Sequence, residues 1–460
     1  MDLWRLSINQ IKKLIKSGQV SPEEVYKVFL SRIKKFNPGL NAFITVIEKP
    51  EIDKTKKDAP LFGIPFSMKD VYMTKGIKTT AGSAILKNYI SQYDAAVYRR
   101  LKQAGAVLIG KTNCDAWGHG VSTENSDLMT TKNPWNTDFV AGGSSGGSGA
   151  CLAKDMAVFD IGEDTGGSIR LPASFCSVVG LKATYGLISR YGAIAYASSL
   201  DTVGPMARTV EDCALVLEAI AGKDRLDATS SSLPIPKYSQ QLNKSIKGTK
   251  IGIPKEYFVK GLDQEVAQKV KQVINRFEKM GARIIKISLP MTKYAIAVYY
   301  LIAPSETSSN LSRFDGIRYG KGRGKFGDEA KRRILLGTFA LSAGYYDAYY
   351  LKATKIRTLI KRDFEKAFKT VDVIVAPVSP TPPFKIGEKA DDPLQMYLAD
   401  VFTVPISLAG VPSLSLPCGF SQKGLPIGFQ IIGPHFQEAK ILNFGHQYQK
   451  ESGTFREYEN

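Results

Sequence analysis

Two glycine-rich turns, separated by a short apolar segment, are the feature that most limits how this chain can fold. Residues 142–149 contain five glycines and three serines, and residues 164–168 read DTGGS. Glycine loses the most backbone entropy inside a helix or strand, whereas it suits tight turns that present N–H groups. The apolar residues 156–161 between the turns predict a strand. The second turn leads into an apolar segment with helical character, so we expect its amides at a helix N-terminus, where they favour a developing oxyanion.

The residues alone allow three interpretations of these turns. A phosphate-binding loop would need a Lys-Ser/Thr ending, which neither turn has. A hydrolase elbow of the G-x-S-x-G type is possible with Ser144 or Ser145 as nucleophile, and it would require His435 or His446 as the late histidine of the triad. A purely structural pair of turns would have to supply hydrogen-bond partners for an unusually dense set of serines.

The motifs around these turns also resemble those of a known enzyme family. GGSSGG at residues 142–147, DTGGSIRLP at 164–172 and GIPFSMKD at 63–70 occur in the order that is typical of the amidase signature family. The resemblance implies an α/β fold with a mixed central β-sheet covered by helices on both faces, which the alternation of predicted strands and helices also indicates. We predict one amidase domain over residues 1–460, in which helices within residues 1–40 pack on the core and a helical region at 291–370 covers the substrate site.

Local patterns predict individual elements of this fold. Ser7 with Gln10 and Ser21 with Glu24 predict capping boxes at the starts of two helices. Residues 250–254, 263–280 and 282–288 predict a strand, a helix and a second strand of the parallel type. The helical region is expected to consist of residues 291–310 and, after the basic loop, of residues 328–369.

Lys69 is the one charged residue in an otherwise apolar predicted strand. Burial disfavours the charged form of a lysine and lowers its pKa, so a buried Lys69 is a candidate general base. The alternatives are a lysine at the protein surface or one paired with Asp70.

The resemblance assigns the reacting groups. It implies that Ser168 is the nucleophile, that Lys69 is the base, and that Ser144 lies between them on a cis peptide. It also implies an oxyanion hole made by the backbone N–H groups of Thr165, Gly166, Gly167 and Ser168.

Five further stretches resemble one subgroup of the family, the A subunits of glutamyl-tRNA(Gln)/aspartyl-tRNA(Asn) amidotransferases. They are residues 122–126, 309–320, 331–350, 391–410 and 424–433. The loop between residues 320 and 326 is shorter than is usual in that subgroup. The resemblance implies that the substrate is free glutamine, which the chain would hydrolyse to glutamate and ammonia.

Recognition of free glutamine requires a cation for its α-carboxylate and an anion for its α-ammonium group. The resemblance places Arg333 and Asp400 in these roles, with Tyr299 or its neighbour Tyr300 as the aromatic companion. Each has a simpler alternative: Arg333 pairs with Glu329 one helical turn earlier, Asp400 bonds locally, and Tyr299 belongs to the core.

The same resemblance implies partners. In this interpretation the chain assembles with B and C subunits, and its ammonia passes to the B subunit, which activates tRNA-bound glutamate with ATP and Mg²⁺. This chain itself is expected to hold no cofactor and no metal, and tRNA is expected to contact mainly the partner. The alternatives are a stand-alone amidase of small amides and an RNA-binding or scaffold protein that retains an amidase fold.

The amino-acid composition limits the partners, the cysteine chemistry and the location of the protein less strongly than the motifs do. Lys and Arg exceed Asp and Glu by 62 to 43, which suits either an anionic partner or a lysine-rich surface, and we interpret the basic segment 312–333 as a solvated loop. The five cysteines predict neither disulfides nor a metal site. The sequence has no apolar run of membrane-spanning length, so we expect a soluble, cytoplasmic protein without membrane contact. His119 is expected to be structural.

Overall fold

A computed structural model of the chain describes residues 2–258, 261–314, 316, 320–389 and 392–455. In this part of the chain a single mixed sheet of eleven strands runs in the order β1-β3-β2-β4-β6-β5-β10-β11-β9-β7-β8. The strands are β1 (Phe43–Val46), β2 (Pro65–Lys69), β3 (Val107–Thr112), β4 (Phe159–Asp164), β5 (Val179–Lys182), β6 (Thr202–Ala207), β7 (Lys250–Pro254), β8 (Arg283–Ile287), β9 (Val373–Pro377), β10 (Ser413–Phe420) and β11 (Pro426–Ile432).

Parallel and antiparallel pairs both occur in this sheet. Strand β2 pairs parallel with β3 and with β4, and β7 pairs parallel with β8 and with β9. The strands between these two groups, β6, β5, β10 and β11, pair antiparallel with their neighbours. The parallel β2–β4 pair matters most for function, because the carboxyl ends of two adjacent parallel strands meet at one edge of the sheet.

Helices pack against both faces of the sheet. In the described residues they are α1 (Ile8–Lys16), α2 (Pro22–Leu40), α3 (Ala96–Gln103), α4 (Gly146–Ala153), α5 (Arg170–Cys176), α6 (Val210–Ile220), α7 (Gln264–Lys279), α8 (Ala295–Asn310), α9 (Asp328–Ala340), α10 (Lys352–Ala367), α11 (Pro393–Leu398), α12 (Val404–Ala409) and α13 (Glu438–Ser452).

Strand β9 shows how the two faces are covered. Val373 and Val375 belong to the larger apolar cluster, which includes residues of α1, α2, α6, α7 and α13. Ile374 and Ala376 point to the opposite face and belong to a second cluster with residues of α8, α10 and α12. Because side chains alternate across a strand, both faces of the sheet are buried beneath helices. The predicted fold class is therefore confirmed.

Several local predictions are also confirmed. Ser7 with Gln10 and Ser21 with Glu24 form reciprocal capping boxes at the starts of α1 and α2. The strand, helix and strand predicted within residues 250–288 appear as β7, α7 and β8, with the two strands parallel.

Two predicted boundaries are wrong. The strand predicted at 156–161 begins at Phe159 and continues to Asp164, so Glu163 lies in the strand next to the second turn. The continuous helical stretch predicted over 328–369 is interrupted between α9 and α10, where Gly344 adopts a φ of 84°. None of the helices in the described residues is both long and apolar enough to cross a membrane.

Candidate active site

The sheet brings the two glycine turns and the motif lysine to one edge. Lys69 is the last residue of β2 and Asp164 the last of β4, and these two strands are parallel neighbours. The second turn, residues 165–168, follows β4 directly and leads into α5. The first turn was predicted too long, because residues 146–149 already form the start of α4, where the apolar packing of the buried helix outweighs the helix propensity of glycine. Its remaining residues end at Ser145, whose N–H donates to the Ser168 carbonyl oxygen at 3.1 Å. The three sequence motifs therefore meet in space.

Lys69 is fully buried and touches the first turn. Its Nζ donates to Ser144 Oγ at 2.7 Å, to Glu163 Oε2 at 2.7 Å and to the Glu163 carbonyl oxygen at 3.4 Å. The alternative pairing with Asp70 does not occur, because Asp70 Oδ1 lies 3.0 Å from Lys111 Nζ. The alternative of a lysine at the protein surface is likewise wrong.

The expected direction of the Lys69 pKa is wrong as well. Burial alone lowers the pKa of Lys69, as the sequence predicted, but the charge of Glu163 acts in the opposite direction. The outcome is a Lys69 pKa above its usual value. The charge of Glu163 beside the amine was not evident from the sequence, and it reverses the expected direction.

The residue before Ser144 must be a glycine, because the space around Gly143 admits no side chain. The Gly143–Ser144 peptide bond is cis, as the family resemblance implied. A Cβ atom on Gly143 would lie 2.2 Å from Asp115 Oδ2 and 2.6 Å from the Ser122 backbone nitrogen. The glycine is therefore required so that Ser144 can approach Lys69.

The second turn presents unused donors around Ser168. Among the described residues, the backbone N–H groups of Thr165, Gly166, Gly167 and Ser168 donate no hydrogen bond, and the Ser168 hydroxyl has no partner either. These N–H groups lie in the turn that precedes α5. The turn is braced by Asp164, which accepts from Arg170 Nη2 at 2.9 Å and from Ile169 N–H at 3.2 Å.

The residues predicted to bind substrate lie on the helical side of this turn. A Cβ on Gly166 would lie 2.7 Å from the Tyr299 hydroxyl, and one on Gly167 would lie 2.8 Å from Asp400 Oδ1. Burial raises the pKa of Asp400 well above its usual value, and the nearby Asp164 adds to the shift. The local alternative for Asp400 is also realised, since Thr403 Oγ1 approaches Asp400 Oδ1 at 3.4 Å.

Arg333 on α9 is buried within a group of aromatic rings. Its guanidinium lies 5.4 Å from the ring centres of both Tyr196 and Tyr300, and it donates to the Tyr196 hydroxyl. The predicted alternative pairing also exists, because Arg333 Nε donates to Glu329 Oε1 at 2.7 Å. Beside it opens a cavity of about 80 Å³ whose lining includes Glu124, Asn125, Arg332 and Tyr397.

Both tyrosines of α8 lie in this region, but they differ in their contacts. The Tyr299 hydroxyl donates to the Tyr196 hydroxyl at 3.3 Å and faces the second turn. Tyr300 stacks on Tyr397 at 3.8 Å, and its buried hydroxyl has no partner among the described residues. The contact with the turn favours Tyr299 over Tyr300 as the residue nearer to the reacting groups.

Two residues of this region were not identified from the sequence as contributors to the site. Glu163 contacts Lys69, and Tyr196 contacts both Arg333 and Tyr299. Glu329, by contrast, pairs with Arg333 as its spacing on the helix predicted. The signal for Glu163 was its place just before the DTGGS motif. Nothing in the sequence marked Tyr196.

The remaining candidates fall outside the reacting set. His119 is buried with its ring 4.6 Å from that of Tyr196, and burial, followed by the charges of Arg333 and Lys69, holds its pKa well below its usual value. His435 contacts the Ala409 carbonyl oxygen at 3.1 Å. The described residues contain no cluster of three or more His, Cys, Asp or Glu side chains placed to hold a metal. The five cysteines are buried and unbridged.

The family of this chain follows from its similarity to known proteins. The sequence profile of amidases matches residues 24–442. The chain belongs to the amidase family. The A subunit of glutamyl-tRNA(Gln) amidotransferase from Geotalea daltonii is 51% identical over 476 residues, covering 98% of each chain. The amidase also resembles the crystal structure of the Thermotoga maritima protein of the same name, with 41% identity, a TM-score of 0.88, and coverage of 98% of this chain and 96% of that one.

More distant relatives share the same architecture. The structure of a 6-aminohexanoate cyclic dimer hydrolase is similar to this amidase, with a TM-score of 0.89 at 26% identity and coverage of 98% of both chains. The fold therefore serves amidases with different substrates, so the choice of substrate must come from the residues that line the site.

Proposed function

We propose that this amidase is the glutamine-hydrolysing subunit of a tRNA-dependent amidotransferase. The observation that carries the proposal is the buried Lys69–Ser144 hydrogen bond of 2.7 Å beside the Ser168 turn. It occurs in a chain that is 51% identical, over nearly its full length, to the A subunit of a glutamyl-tRNA(Gln) amidotransferase.

In the first step of this mechanism the Ser168 oxygen attacks the carboxamide carbon of glutamine. The Ser168 proton passes to Ser144, whose own proton passes to an uncharged Lys69 Nζ. The free N–H groups of the second turn stabilise the oxyanion, an interaction worth about 3 kcal/mol per donor. Ser144 then gives one proton to the leaving nitrogen and regains one from Lys69, so that ammonia departs and Lys69 is uncharged again. Water then hydrolyses the glutamyl ester, which releases glutamate and restores Ser168.

Recognition of glutamine falls to the helical side of the site. The Arg333 guanidinium binds the α-carboxylate of glutamine. The hydrogen bond between Arg333 and Glu329 must therefore weaken or break when the substrate enters. Asp400 binds the α-ammonium group, and the arriving cation lowers the raised pKa of Asp400 toward the ionised form. Tyr299 supplies the aromatic wall between these charges and the turn.

The ammonia is used elsewhere in the assembly. A partner B subunit, with ATP and Mg²⁺, activates the glutamate of Glu-tRNA(Gln), and the ammonia converts it to Gln-tRNA(Gln). Asp-tRNA(Asn) can serve in the same way to give Asn-tRNA(Asn). A small C subunit holds this chain and its B partner together, tRNA contacts mainly the B partner, and this chain works in the cytoplasm without a cofactor of its own.

The test measures ammonia release from L-glutamine and from propanamide, an amide without α-substituents. The chain is assayed alone and co-expressed with B and C subunits from the same organism, with Ser168→Ala as background. We expect release from glutamine, a preference over propanamide of at least tenfold, and none from the variant. Equal turnover of both amides would instead indicate a stand-alone amidase. Binding of tRNA by an inactive chain would indicate the RNA-binding alternative.

A further inference from the structure

Glu163 is a buried carboxylate that the mechanism above does not use. It is 3% exposed and lies in β4, one residue before the motif that carries Ser168. Its Oε2 accepts from Lys69 Nζ at 2.7 Å, and its Oε1 accepts from Thr165 Oγ1 at 2.6 Å. One side chain therefore joins the base on β2 to the turn that holds the nucleophile.

The backbone around Glu163 is fixed to the first turn as well. Ser145 Oγ donates to the Glu163 carbonyl oxygen at 3.2 Å, and the Glu163 N–H donates back to Ser145 Oγ at 3.4 Å. Because the N–H and the carbonyl group of Glu163 both bond to the Ser145 hydroxyl, the Glu163 carboxylate has little freedom to leave Lys69. Lys69 Nζ is thereby held 2.7 Å from Ser144 Oγ, a separation at which the uncharged amine can take the Ser144 proton.

Other titratable groups also face this pair, and they remain in place when Glu163 is changed. They are Tyr72, Cys114, Asp115, His119, Asp160 and Asp201. Burial raises the pKa of both Asp115 and Asp160 to about 6. Asp201 Oδ1 is bonded to Thr165 Oγ1 at 2.7 Å, and burial raises the pKa of Asp201 well above its usual value. Within the described residues the ion pair of Lys69 is made with Glu163 and with none of these six groups.

We propose that Glu163 is a positioning residue that holds Lys69 Nζ against Ser144 and sets the pH above which Lys69 can accept a proton from Ser144. The proposal rests on the function proposed above. It assigns Glu163 a role in the reaction although it need not touch the substrate.

The direction in which the activity midpoint moves follows from two opposing influences on the pKa of Lys69, which are burial and the charge of Glu163. The base form exists only above the pKa of Lys69, which Glu163 holds above its usual value against the effect of burial. Replacing the carboxylate by a neutral amide removes the charge that raises the pKa of Lys69, so that burial then lowers this pKa without opposition. An opposite charge at this distance shifts a pKa by about one to three units. The acid-side midpoint of the activity profile should therefore move to lower pH by about that amount.

The experiment records this midpoint for the wild type, Glu163→Gln and Glu163→Asp. Two readouts are used: kcat/KM for ammonia release from glutamine, and the rate at which a fluorophosphonate labels Ser168. Labelling needs the activated serine but no glutamine. It therefore reports on Glu163 even if glutamine is not the substrate, in which case only the ammonia readout is lost. Thermal unfolding is followed in parallel.

Asp70→Asn is the matched control. Among the described residues, Asp70 forms a second buried carboxylate–lysine pair at this sheet, with Lys111, and Lys111 does not contact Ser144. We expect Asp70→Asn to lower stability without moving the midpoint. The expected order of midpoints is wild type and Asp70→Asn highest, then Glu163→Asp, then Glu163→Gln.

Three other results would each contradict the proposal. An unchanged midpoint in folded Glu163→Gln would make Glu163 merely structural. A midpoint that rises would show that Glu163 takes the proton from Lys69 during the reaction. An equal downward shift in Asp70→Asn would show that the effect is not specific to this pair. If Glu163→Gln does not fold, the shift in Glu163→Asp decides between the same outcomes.

Discussion

The two sides of the site are built in different ways. On the reaction side, Lys69 and Ser144 are fixed by strand ends and by turns whose glycines admit no larger residue. On the recognition side, Arg333 on α9 and Tyr299 on α8 are held largely by other side chains, and both meet the Tyr196 hydroxyl. A change on the reaction side should therefore reduce the turnover of every amide. A change on the recognition side should affect only substrates that carry the groups it binds.

The largest expected effect comes from Lys69. Lys69→Met keeps an unbranched side chain that is one atom shorter, but it removes the amine that accepts the proton from Ser144. Loss of a general base typically lowers the rate by up to roughly 10⁴-fold. We expect kcat/KM to fall by that order for both glutamine and propanamide, as measured by ammonia release.

Lys111→Met is the control that separates chemistry from stability. Both substitutions leave a buried carboxylate without its lysine, Glu163 in one case and Asp70 in the other. Removing one partner of a buried ion pair costs about 3 to 5 kcal/mol of stability. Both variants should therefore unfold at lower denaturant concentration, and folded Lys111→Met should keep most of its activity. Comparable activity in the two folded variants would contradict the assignment of Lys69 as base.

The second-largest expected effect is on kcat/KM for glutamine alone, and it distinguishes the recognition side from the reaction side. Arg333→Met removes the cation proposed for the α-carboxylate of glutamine. Truncating one partner of a buried charged hydrogen bond costs about 2 to 5 kcal/mol, which is roughly 30-fold or more in kcat/KM. We expect this loss for glutamine and little change for propanamide, which has no carboxylate to bind.

Arg332→Met is its matched control. Arg332 precedes Arg333 on α9 and also pairs with Glu329, but its side chain is 48% exposed. We therefore expect nearly wild-type kinetics with both amides. An equal loss of propanamide turnover in Arg333→Met would mean that Arg333 supports the reaction side and does not select the substrate.

The same contrast explains what the sequence could predict. The reaction side is encoded in three short motifs, and the sheet topology brings them together as the family resemblance implied. The cis peptide before Ser144 was likewise implied by the resemblance alone. The capping boxes of α1 and α2 were predictable from the residues themselves, since each depends on two side chains three positions apart. The strand that carries Glu163 was placed several residues too early, so its contact with Lys69 was missed.

The recognition side was harder because its contacts join distant parts of the chain. Tyr196 and Arg333 are 137 positions apart, and no local pattern links them. For Arg333, the sequence offered a role in substrate binding or a pair with Glu329 as alternatives, and the structure contains the pair in a buried setting. Arg333 is connected to the second turn through the hydroxyls of Tyr196 and Tyr299. Tertiary packing thus buries an ordinary i,i+4 pair, which helix spacing alone cannot indicate.

The smallest expected effect tests whether side chains order the recognition side. Tyr196→Phe removes the hydroxyl that accepts from both Arg333 and Tyr299, while the ring that packs beside Arg333 remains. Burial raises the pKa of Tyr196 to about 12, so the hydroxyl is neutral at physiological pH and can hydrogen-bond without adding charge. A hydrogen bond of this kind contributes about 1 kcal/mol, or roughly fivefold in affinity.

We expect Tyr196→Phe to raise KM for glutamine about fivefold, with kcat for glutamine and kcat/KM for propanamide nearly unchanged. Tyr257→Phe is the control, because the buried Tyr257 hydroxyl has no hydrogen-bond partner among the described residues and its removal should leave both substrates unaffected. A fall in kcat for Tyr196→Phe, with propanamide affected equally, would place Tyr196 with the reaction side. In that case Tyr196 would support the second turn through Tyr299, whose hydroxyl faces Gly166. Tyr196 would then belong to the reaction side, and the recognition side would begin at Arg333 on α9.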